Sequence, residues 1–544
     1  MKNLIDMTTQ NLLSIKNLSI KIDDQVILSN ISLDIKKNEV LGLVGESGSG
    51  KSFTALSILK LINIKNLKVE GEIIFNGTIL NNLSEKNYQK LRGKEISIIF
   101  QEPMSSLNPS MKCGDQISEI IINHEKINKN LAKKKSLELI KKVQLKDAEL
   151  VYEKYPHQLS GGQQQRIMIA IAIACKPKLL IADEPTTSLD GIVKNNIISL
   201  IKSLQNEYKM SVLFISHDLK LVSKFVDTLI ILKDGLIVES GDSFTVFNSP
   251  KKKYTKNLIN SSPPKKNRPN RLITYKTKKN KLISKEERAL LHSKIYNKTP
   301  ILKVSALSVS YSAKKIIENV SFDLYKGETL GIVGESGSGK STIAKSILGL
   351  VKIDNGEICF KNKDIKQISN SVFRKKVQLI FQDPYSSLNS ELSIGESIVE
   401  PMIAHKIFSS KKEMKLKALE LLNQVGLSEN SYNKFPNQFS GGQRQRIVIA
   451  RALALSPEII ICDESVSALD VSIQAQILNL LSDLKEKFQF TFVFISHDMS
   501  VVKYFTDRII VLKKGEIVEF DETDFLFEFP QNTYTKELLN ASDF

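Results

Sequence analysis

The octapeptide Gly-Glu-Ser-Gly-Ser-Gly-Lys-Ser occurs twice in this chain, at 45–52 and again at 334–341. Each copy follows an apolar run suited to a buried strand (40–44 and 329–333) and precedes a helix-like segment (53–62 and 342–351). A strand, a glycine loop and Lys-Ser opening a helix form the arrangement that cradles nucleotide phosphates. The glycines let main-chain N–H groups close around oxygens, and the helix N-terminus favours negative charge. The first cradle is Gly45, Glu46, Ser47, Gly48, Ser49, Gly50, Lys51 and Ser52, with Phe53 next in the chain. The second is Gly334, Glu335, Ser336, Gly337, Ser338, Gly339, Lys340 and Ser341, followed by Thr342. Lys51 and Lys340 are expected to reach β/γ-phosphates, and Ser52 and Ser341 to ligate Mg²⁺. Two nucleoside triphosphates are thus expected per chain.

The duplication extends well beyond this loop. Leu-Ser-Gly-Gly-Gln at 159–163 returns as Phe-Ser-Gly-Gly-Gln at 439–443, and Asp183-Glu184 returns as Asp463-Glu464. Ile-Ser-His-Asp, holding His217, returns around His497. These pairs share one offset of 280 residues, whereas Lys51 and Lys340 lie 289 apart, so the second half is shorter between loop and signature. The chain reads as two homologous domains in tandem, 1–262 and 300–544, joined by 263–299. The join holds twelve Lys/Arg against Glu286 and Glu287, contains prolines and shows little apolar periodicity. It reads as a flexible, solvated linker, with room for one short helix at 284–291.

Within each half, short β-branched runs alternate with helical patterns, which argues an α/β fold with a largely parallel sheet. The runs 179–182 and 212–215 are apolar on both alternations, as strands covered on both faces are. The segment 163–175 reads as a buried helix with Ser160 as its N-cap.

A chain of 544 residues, 42% hydrophobic and 25% charged, has the composition of a multi-domain globular protein. No apolar run approaches the roughly 18–20 residues that span a bilayer, and residues 1–18 lack a signal-peptide core. These features predict a cytoplasmic chain. Four scattered cysteines without a Cys-x-x-Cys pair predict reduced thiols rather than a disulfide or metal framework. The net charge of +18 leaves two accounts open, a functional basic patch or a base-composition bias toward Lys, Asn and Ile.

Asp183 and Asp463 each close an apolar strand, where an acidic side chain is placed to hold Mg²⁺. The following Glu184 and Glu464 are placed to polarise a water for in-line attack on a γ-phosphate. His217 and His497, also at strand ends, are expected to contact that phosphate. Gln101 and Gln382, in Ile-Phe-Gln-Glu-Pro and Ile-Phe-Gln-Asp-Pro, are expected to bridge Mg²⁺ and water. Ser160-Gly161-Gly162-Gln163 and Ser440-Gly441-Gly442-Gln443 form a second glycine turn opening a helix, hence a second anion site per half. One nucleotide hardly needs two such sites from one domain. A head-to-tail pairing, each phosphate loop facing the other half's Ser-Gly-Gly turn, resolves the excess.

Together these motifs resemble the ATPases of ABC transporters, in both halves. Gly-Glu-Ser-Gly-Ser-Gly-Lys-Ser, Gln-Glu-Pro-Met-Ser-Ser-Leu-Asn-Pro and Tyr-Pro-His-Gln-Leu-Ser-Gly-Gly resemble the oligopeptide/dipeptide importer branch, as do the extensions holding Tyr254-Thr255 and Tyr534-Thr535. Fused pairs of this kind are similar to the ATPases of glutathione and microcin C/oligopeptide importers. The resemblance implies, in each half, an α/β core, a small β subdomain and a helical subdomain bearing the signature. It implies ATP and Mg²⁺ as ligands, and two membrane permeases with an indirectly linked solute-binding protein as partners. It further implies a peripheral place on the inner membrane and no specific nucleic acid. Residues 102–109 and 383–390 would meet the permeases, and Asp190 and Asp470 would communicate across the paired domains. A soluble tandem protein acting on ribosomes or nucleic acid is the competing reading. The long interval from Gln101 to Ser160, the docking-like segments and the duplicated extension weigh against it.

The chain departs from the family pattern at a few positions. An aromatic usually stacks on adenine before the phosphate loop; Tyr311 fits, but Ile22 stands in the first half. Ser465 replaces the proline seen at Pro185, and Phe439 the signature leucine. The extensions read Lys-Lys-Tyr-Thr and Asn-Thr-Tyr-Thr where the family favours His-Pro-Tyr-Thr. None removes a phosphate, magnesium or water ligand, so both sites are expected to hydrolyse ATP.

Overall fold

The computed structural model describes residues 11–187, 189–264, 268–274, 281–311, 314–467 and 469–542. The chain forms two units, one of residues through Leu189 with Val193–Ile259, the other of Asn260 onward. Each contains a four-stranded antiparallel sheet and a six-stranded sheet. In the first unit the six strands run Leu236–Asp242, Thr228–Lys233, Val40–Gly45, Ser211–Ser216, Leu179–Asp183, Ile96–Ile99, all parallel except the first. The second unit repeats the order with Glu516–Glu522, Arg508–Lys513, Thr329–Val333, Thr491–Ile495, Ile459–Asp463 and Val377–Ile380. The predicted α/β class, with its parallel core, β subdomain and helical subdomain, is what the chain adopts.

The continuous apolar runs follow from burial on both faces of the parallel sheet. Successive side chains alternate between faces. Leu41, Leu43, Ile181 and Ile215 pack against Leu13, Ile20, Leu28 and Ile58 of the antiparallel sheet and the first helix. Val40, Val44, Ala182 and Phe214 instead pack against Ile117, Ile121, Ile167 and Ile169 of the helical subdomain. Each such side chain contributes roughly 1.5–3 kcal/mol when fully buried. The phosphate-binding strand is therefore clamped from both sides.

Two local expectations shift. The helices after the phosphate loops span Lys51–Ile58 and Lys340–Ile347, ending earlier than the apolar pattern suggested. Lys60 (φ 51°) and Gly349 (φ 64°) take left-handed conformations there, and Leu61 N–H and Leu350 N–H close back on Leu56 O and Lys345 O. Such a turn satisfies the last carbonyls of a helix and stops it. Of the nine residues by which the second half is shorter, three go with the strand, nine residues long at Leu67–Phe75 and six at Asn355–Phe360, and four with the turn at 92–95, which has no counterpart because the helix Asn370–Lys376 runs straight into the strand Val377–Ile380.

The larger correction concerns the join. Residues 265–267 and 275–280 lie outside the described residues. The remainder is a strap packed onto the second unit, not a solvated linker. Buried Arg268 donates to Tyr504 O (2.8 Å) and to Thr506 O. Leu272 exchanges two main-chain hydrogen bonds with the Asn479 amide (2.8 and 2.9 Å), and Arg271 pairs with Asp483 and Glu486. The short helix expected at 284–291 runs longer, Lys285–Tyr296, capped reciprocally by Ser284 and Glu287. Its Arg288 pairs with Asp524 at 2.8 Å, and His292 lies between Asp507 and Glu522. Arg268, Arg271, Lys285 and Arg288 thus have carboxylate partners on the neighbouring surface, which composition alone does not reveal.

All four cysteines are free; Cys113 and Cys462 are buried, Cys175 and Cys359 half-buried. Among the described residues no helix is long and apolar enough to cross a membrane.

Candidate functional site

Each phosphate loop leaves the carboxyl end of its central strand and folds back over the first helical turn. Gly50 has φ 99°, and a Cβ there would lie 2.3 Å from Leu28 Cδ2, so only glycine fits. Gly48 has φ 79° and faces open space within 4 Å, which leaves the concave side of the loop free. Lys51 and Lys340 are buried at 5% exposure. Lys51 Nζ donates to Gly45 O (2.9 Å) and Glu46 O (3.0 Å); Lys340 Nζ donates to Gly334 O (2.9 Å) and Glu335 O (2.8 Å). Both ammonium groups are therefore pinned inside their own loop. Burial lowers the proton affinity of Lys340, against the pull of Glu464.

Asp183 and Asp463 end the neighbouring strands as anticipated. Ser341 Oγ donates to Asp463 Oδ1 at 3.1 Å, and the Ser52 hydroxyl lies against the Asp183 carboxylate. Asp183 Oδ1 is buried with no hydrogen-bond partner among the described residues. Burial pushes both aspartic carboxyls above their usual range. A buried carboxylate oxygen without a donor, beside a serine hydroxyl, is a donor set that a hard divalent cation fits. Among the described residues no group of three or more His, Cys, Asp or Glu encloses a metal by itself. Such a cation would need further oxygens from its substrate and from water.

Glu184 and Glu464 occupy left-handed backbone conformations, φ 47° and 46°. Their N–H groups bond to Ile215 O and Ile495 O, both at 3.0 Å, which holds the strained residues against the next strand. The Glu184 carboxylate accepts from Gln101 Nε2 (3.2 Å) and Thr187 Oγ1 (2.9 Å), with His217 Nδ1 at 3.0 Å and Lys51 Nζ at 3.9 Å. Glu464 accepts from Gln382 Nε2 (3.0 Å), with His497 Nδ1 at 3.4 Å. Burial pushes the Glu184 carboxyl up, but His217, Lys51 and Thr187 outweigh it and hold the group down at about 2. Glu464 is shifted in the same direction, its burial opposed by His497 and Lys340. Thus Gln101, Asp183, Glu184 and His217 converge on one phosphate loop, and Gln382, Asp463, Glu464 and His497 on the other.

Sequence reasoning missed Thr187. Its only signal was position, three residues after Glu184 in a turn.

The signature turns begin the helices Gly161–Ile173 and Gly441–Leu453. Ser160 Oγ accepts from Gln163 N (3.4 Å) while Gln163 Oε1 accepts from Ser160 N (3.0 Å), and Ser440 and Gln443 repeat both distances. Ser160 is therefore the N-cap its sequence suggested. A Cβ on Gly162 would lie 2.8 Å from Val193 Cγ1, so close packing requires the second glycine. Tyr311 ends the strand Leu302–Tyr311 with its ring 46% exposed, and Ile22 ends the equivalent strand.

Two strand–loop–helix sites, each with a buried lysine, a serine–aspartate pair and a glutamate held by glutamine and histidine, define a tandem P-loop ATPase. Residues 28–187 and 317–467 match the ABC transporter family model, and residues 238–288 match the oligopeptide/dipeptide transporter C-terminal region. The chain belongs to the ABC transporter ATP-binding protein family, and its two units are ATP-binding, ATP-hydrolysing domains. It is 40% identical over 569 residues to the glutathione import ATP-binding protein GsiA of Escherichia coli K12, covering 98% of this chain and 90% of that protein. It is 38% identical over 562 residues to GsiA of Pectobacterium atrosepticum, covering 98% and 89%.

Proposed function

We propose that this chain is the ATPase subunit of an importer for peptides or peptide-like solutes, docked on separate membrane permeases at the inner face of the membrane. The observation that carries the reading is the completeness of both hydrolytic sites in a chain that also has the oligopeptide/dipeptide transporter C-terminal region. Kinship with glutathione import proteins over nearly the whole chain supports import as the task.

In this reading Lys51 and Lys340 turn from their own loop carbonyls to the β/γ-phosphates of ATP. Ser52 and Asp183, with Gln101, would hold Mg²⁺ in one site; Ser341, Asp463 and Gln382 would hold it in the other. The ion would supply charge neutralisation at the phosphate oxygens. Glu184 and Glu464, already ionised, accept a proton from the attacking water. His217 and His497 fix those carboxylates and lie where a γ-phosphate would be met. Gln101 and Gln382 orient the water through their amides. Ser160-Gly161-Gly162 and Ser440-Gly441-Gly442 would close over the nucleotide held by the opposite half, so ATP binding draws the halves together and hydrolysis releases them.

The permease contacts fall to the short helices Pro103–Ser106 and Pro384–Ser387, where Met104 and Tyr385 are exposed. Beside the second lies a pocket of about 260 Å³ lined by Phe381, Ser387, Pro401, Leu350 and Arg451, open to a side chain of a partner. Deleting the gene and measuring uptake of labelled dipeptides, oligopeptides and glutathione tests the reading. Uptake of one of these classes should fall and return with the wild-type gene but not with Glu184→Gln/Glu464→Gln. Unchanged uptake of all three would overturn it.

A further inference from the structure

The second phosphate loop is held at two points by elements outside the nucleotide-binding motifs. One is the turn after the strand Arg508–Lys513, where Gly515 N–H donates to Ser338 O at 2.9 Å. The other is Tyr534, on the C-terminal helix Thr533–Ser542, whose phenolic oxygen accepts from Glu335 N–H at 3.0 Å. Tyr534 is 1% exposed, and its ring lies under Lys513 Nζ at 4.4 Å. The hairpin strand Glu516–Glu522 also fixes the start of this helix: Glu519 accepts from Gln531 N (2.8 Å) and Asn532 N (3.1 Å), and Asn532 Oδ1 accepts from Tyr534 N (2.9 Å). Hairpin, extension and loop thus form one hydrogen-bonded unit. Gly334 seats the loop directly against the strand Arg508–Lys513, since a Cβ there would lie 2.2 Å from Leu512 O.

The first half repeats the hairpin part of this arrangement. Gly235 N–H donates to Ser49 O at 3.2 Å, and Glu239 accepts from Lys251 N (2.7 Å) and Lys252 N (3.2 Å). Lys233 Nζ lies 5.0 Å from the Tyr254 ring centroid.

We propose that Tyr534 is a positioning residue for ATP at the Lys340 site. The C-terminal extension uses its hydroxyl to set the entry of the phosphate loop, so nucleotide affinity depends on the extension. Glu335 is the second residue after the strand. Paired to Tyr534, its N–H fixes the Gly334–Glu335 peptide at the loop entry and keeps the later N–H groups turned toward the phosphates. This inference rests on the ATP-site reading above and adds a residue that the nucleotide motifs do not contain. A tyrosine serving only to fill the core would be replaceable by phenylalanine without effect on affinity, because the ring would keep its packing.

The test uses the full chain carrying Lys51→Ala, so that binding reports the second site. Adding Tyr534→Phe removes one hydroxyl and leaves a partly buried N–H without its acceptor, which should raise the Kd for ATP about 3- to 10-fold. The KM for ATP should rise in parallel while kcat at saturating ATP stays within twofold. Hydrogen exchange read on peptides of the wild-type-length chain should quicken over 334–340 and remain unchanged over 45–51. A Kd changed by less than threefold, or a fall in kcat with KM unmoved, overturns the proposal, whatever happens to the melting temperature. Adding Lys340→Ala instead should abolish the remaining ATP binding; if binding persisted there, the site reading itself would fail.

Discussion

Thr187 donates its hydroxyl to the Glu184 carboxylate at 2.9 Å. Its counterpart Ser467 turns instead to the main-chain oxygen of Glu464 at 2.7 Å. The Glu184 carboxylate is thereby held by one more donor than that of Glu464, and the two sites are chemically unequal although their phosphate loops are identical.

That inequality has a pH consequence. Glu184 is depressed to about 2 and Glu464 is depressed from the ordinary 4.5 by fewer partners. A carboxyl lowered in the folded state contributes stability that is present above its unfolded value and lost as pH falls through the folded one. Both bases should stay ionised through neutral and mildly acid conditions. Replacing His217 with Ala removes a leading source of the depression, so the acid limb of turnover at the first site should move to higher pH. ATPase profiles of the Lys340→Ala chain with and without His217→Ala measure this; superimposed limbs would refute it.

Removing the carboxylates altogether tests the catalytic assignment. Glu184→Gln with Glu464→Gln should retain ATP binding and lower kcat by about 10²–10⁴, the usual cost of losing a general base. Equilibrium binding and phosphate release on the same preparation separate the two effects. Near-normal release would remove both glutamates from the mechanism.

Adenine affinity should differ between the sites. Stacking a base on an aromatic is worth about 1–3 kcal/mol, and about 1.4 kcal/mol is tenfold in affinity. Tyr311 presents a half-exposed ring, whereas Ile22 presents an aliphatic chain. Ile22→Tyr should tighten ATP at the Lys51 site and Tyr311→Ala should weaken it at the Lys340 site, each by several-fold or more. Titrations with the other site's lysine disabled read each change; equal affinities unmoved by either substitution would show the position to be silent.

The strap should contribute to the stability of the second unit. Arg268→Ala leaves the carbonyls of Tyr504 and Thr506 without their guanidinium donor, at a cost of about 1–3 kcal/mol. Denaturant unfolding of the full chain, followed through a probe in the second unit, should show an earlier midpoint. Limited proteolysis should then cut within 268–299 more readily. An unchanged midpoint and cleavage pattern would return the segment to the role of a passive tether.

The twofold repeat, the phosphate loops and the strand-end positions of Asp183-Glu184 and Asp463-Glu464 were all legible in the sequence. Their chemistry depends on short-range geometry: a strand, a glycine turn and a helix start lie within a dozen residues, and the local backbone largely sets where Lys51 or Lys340 can point. The α/β class was legible for a similar reason, since strands buried on both faces must be apolar at every position. What only the tertiary structure decided lies between residues distant in the chain. Arg268 meets Tyr504, Arg288 meets Asp524 and Glu335 meets Tyr534, none adjacent in sequence and none joined to its partner by any motif. A run of lysines and arginines reads as solvated because composition records charge but not the carboxylates and carbonyls that folding brings opposite it. Likewise Tyr534 reads in sequence only as part of the carboxyl-terminal extension, because the N–H it receives belongs to a loop that reaches it only after the sheet, the hairpin and the C-terminal helix have packed.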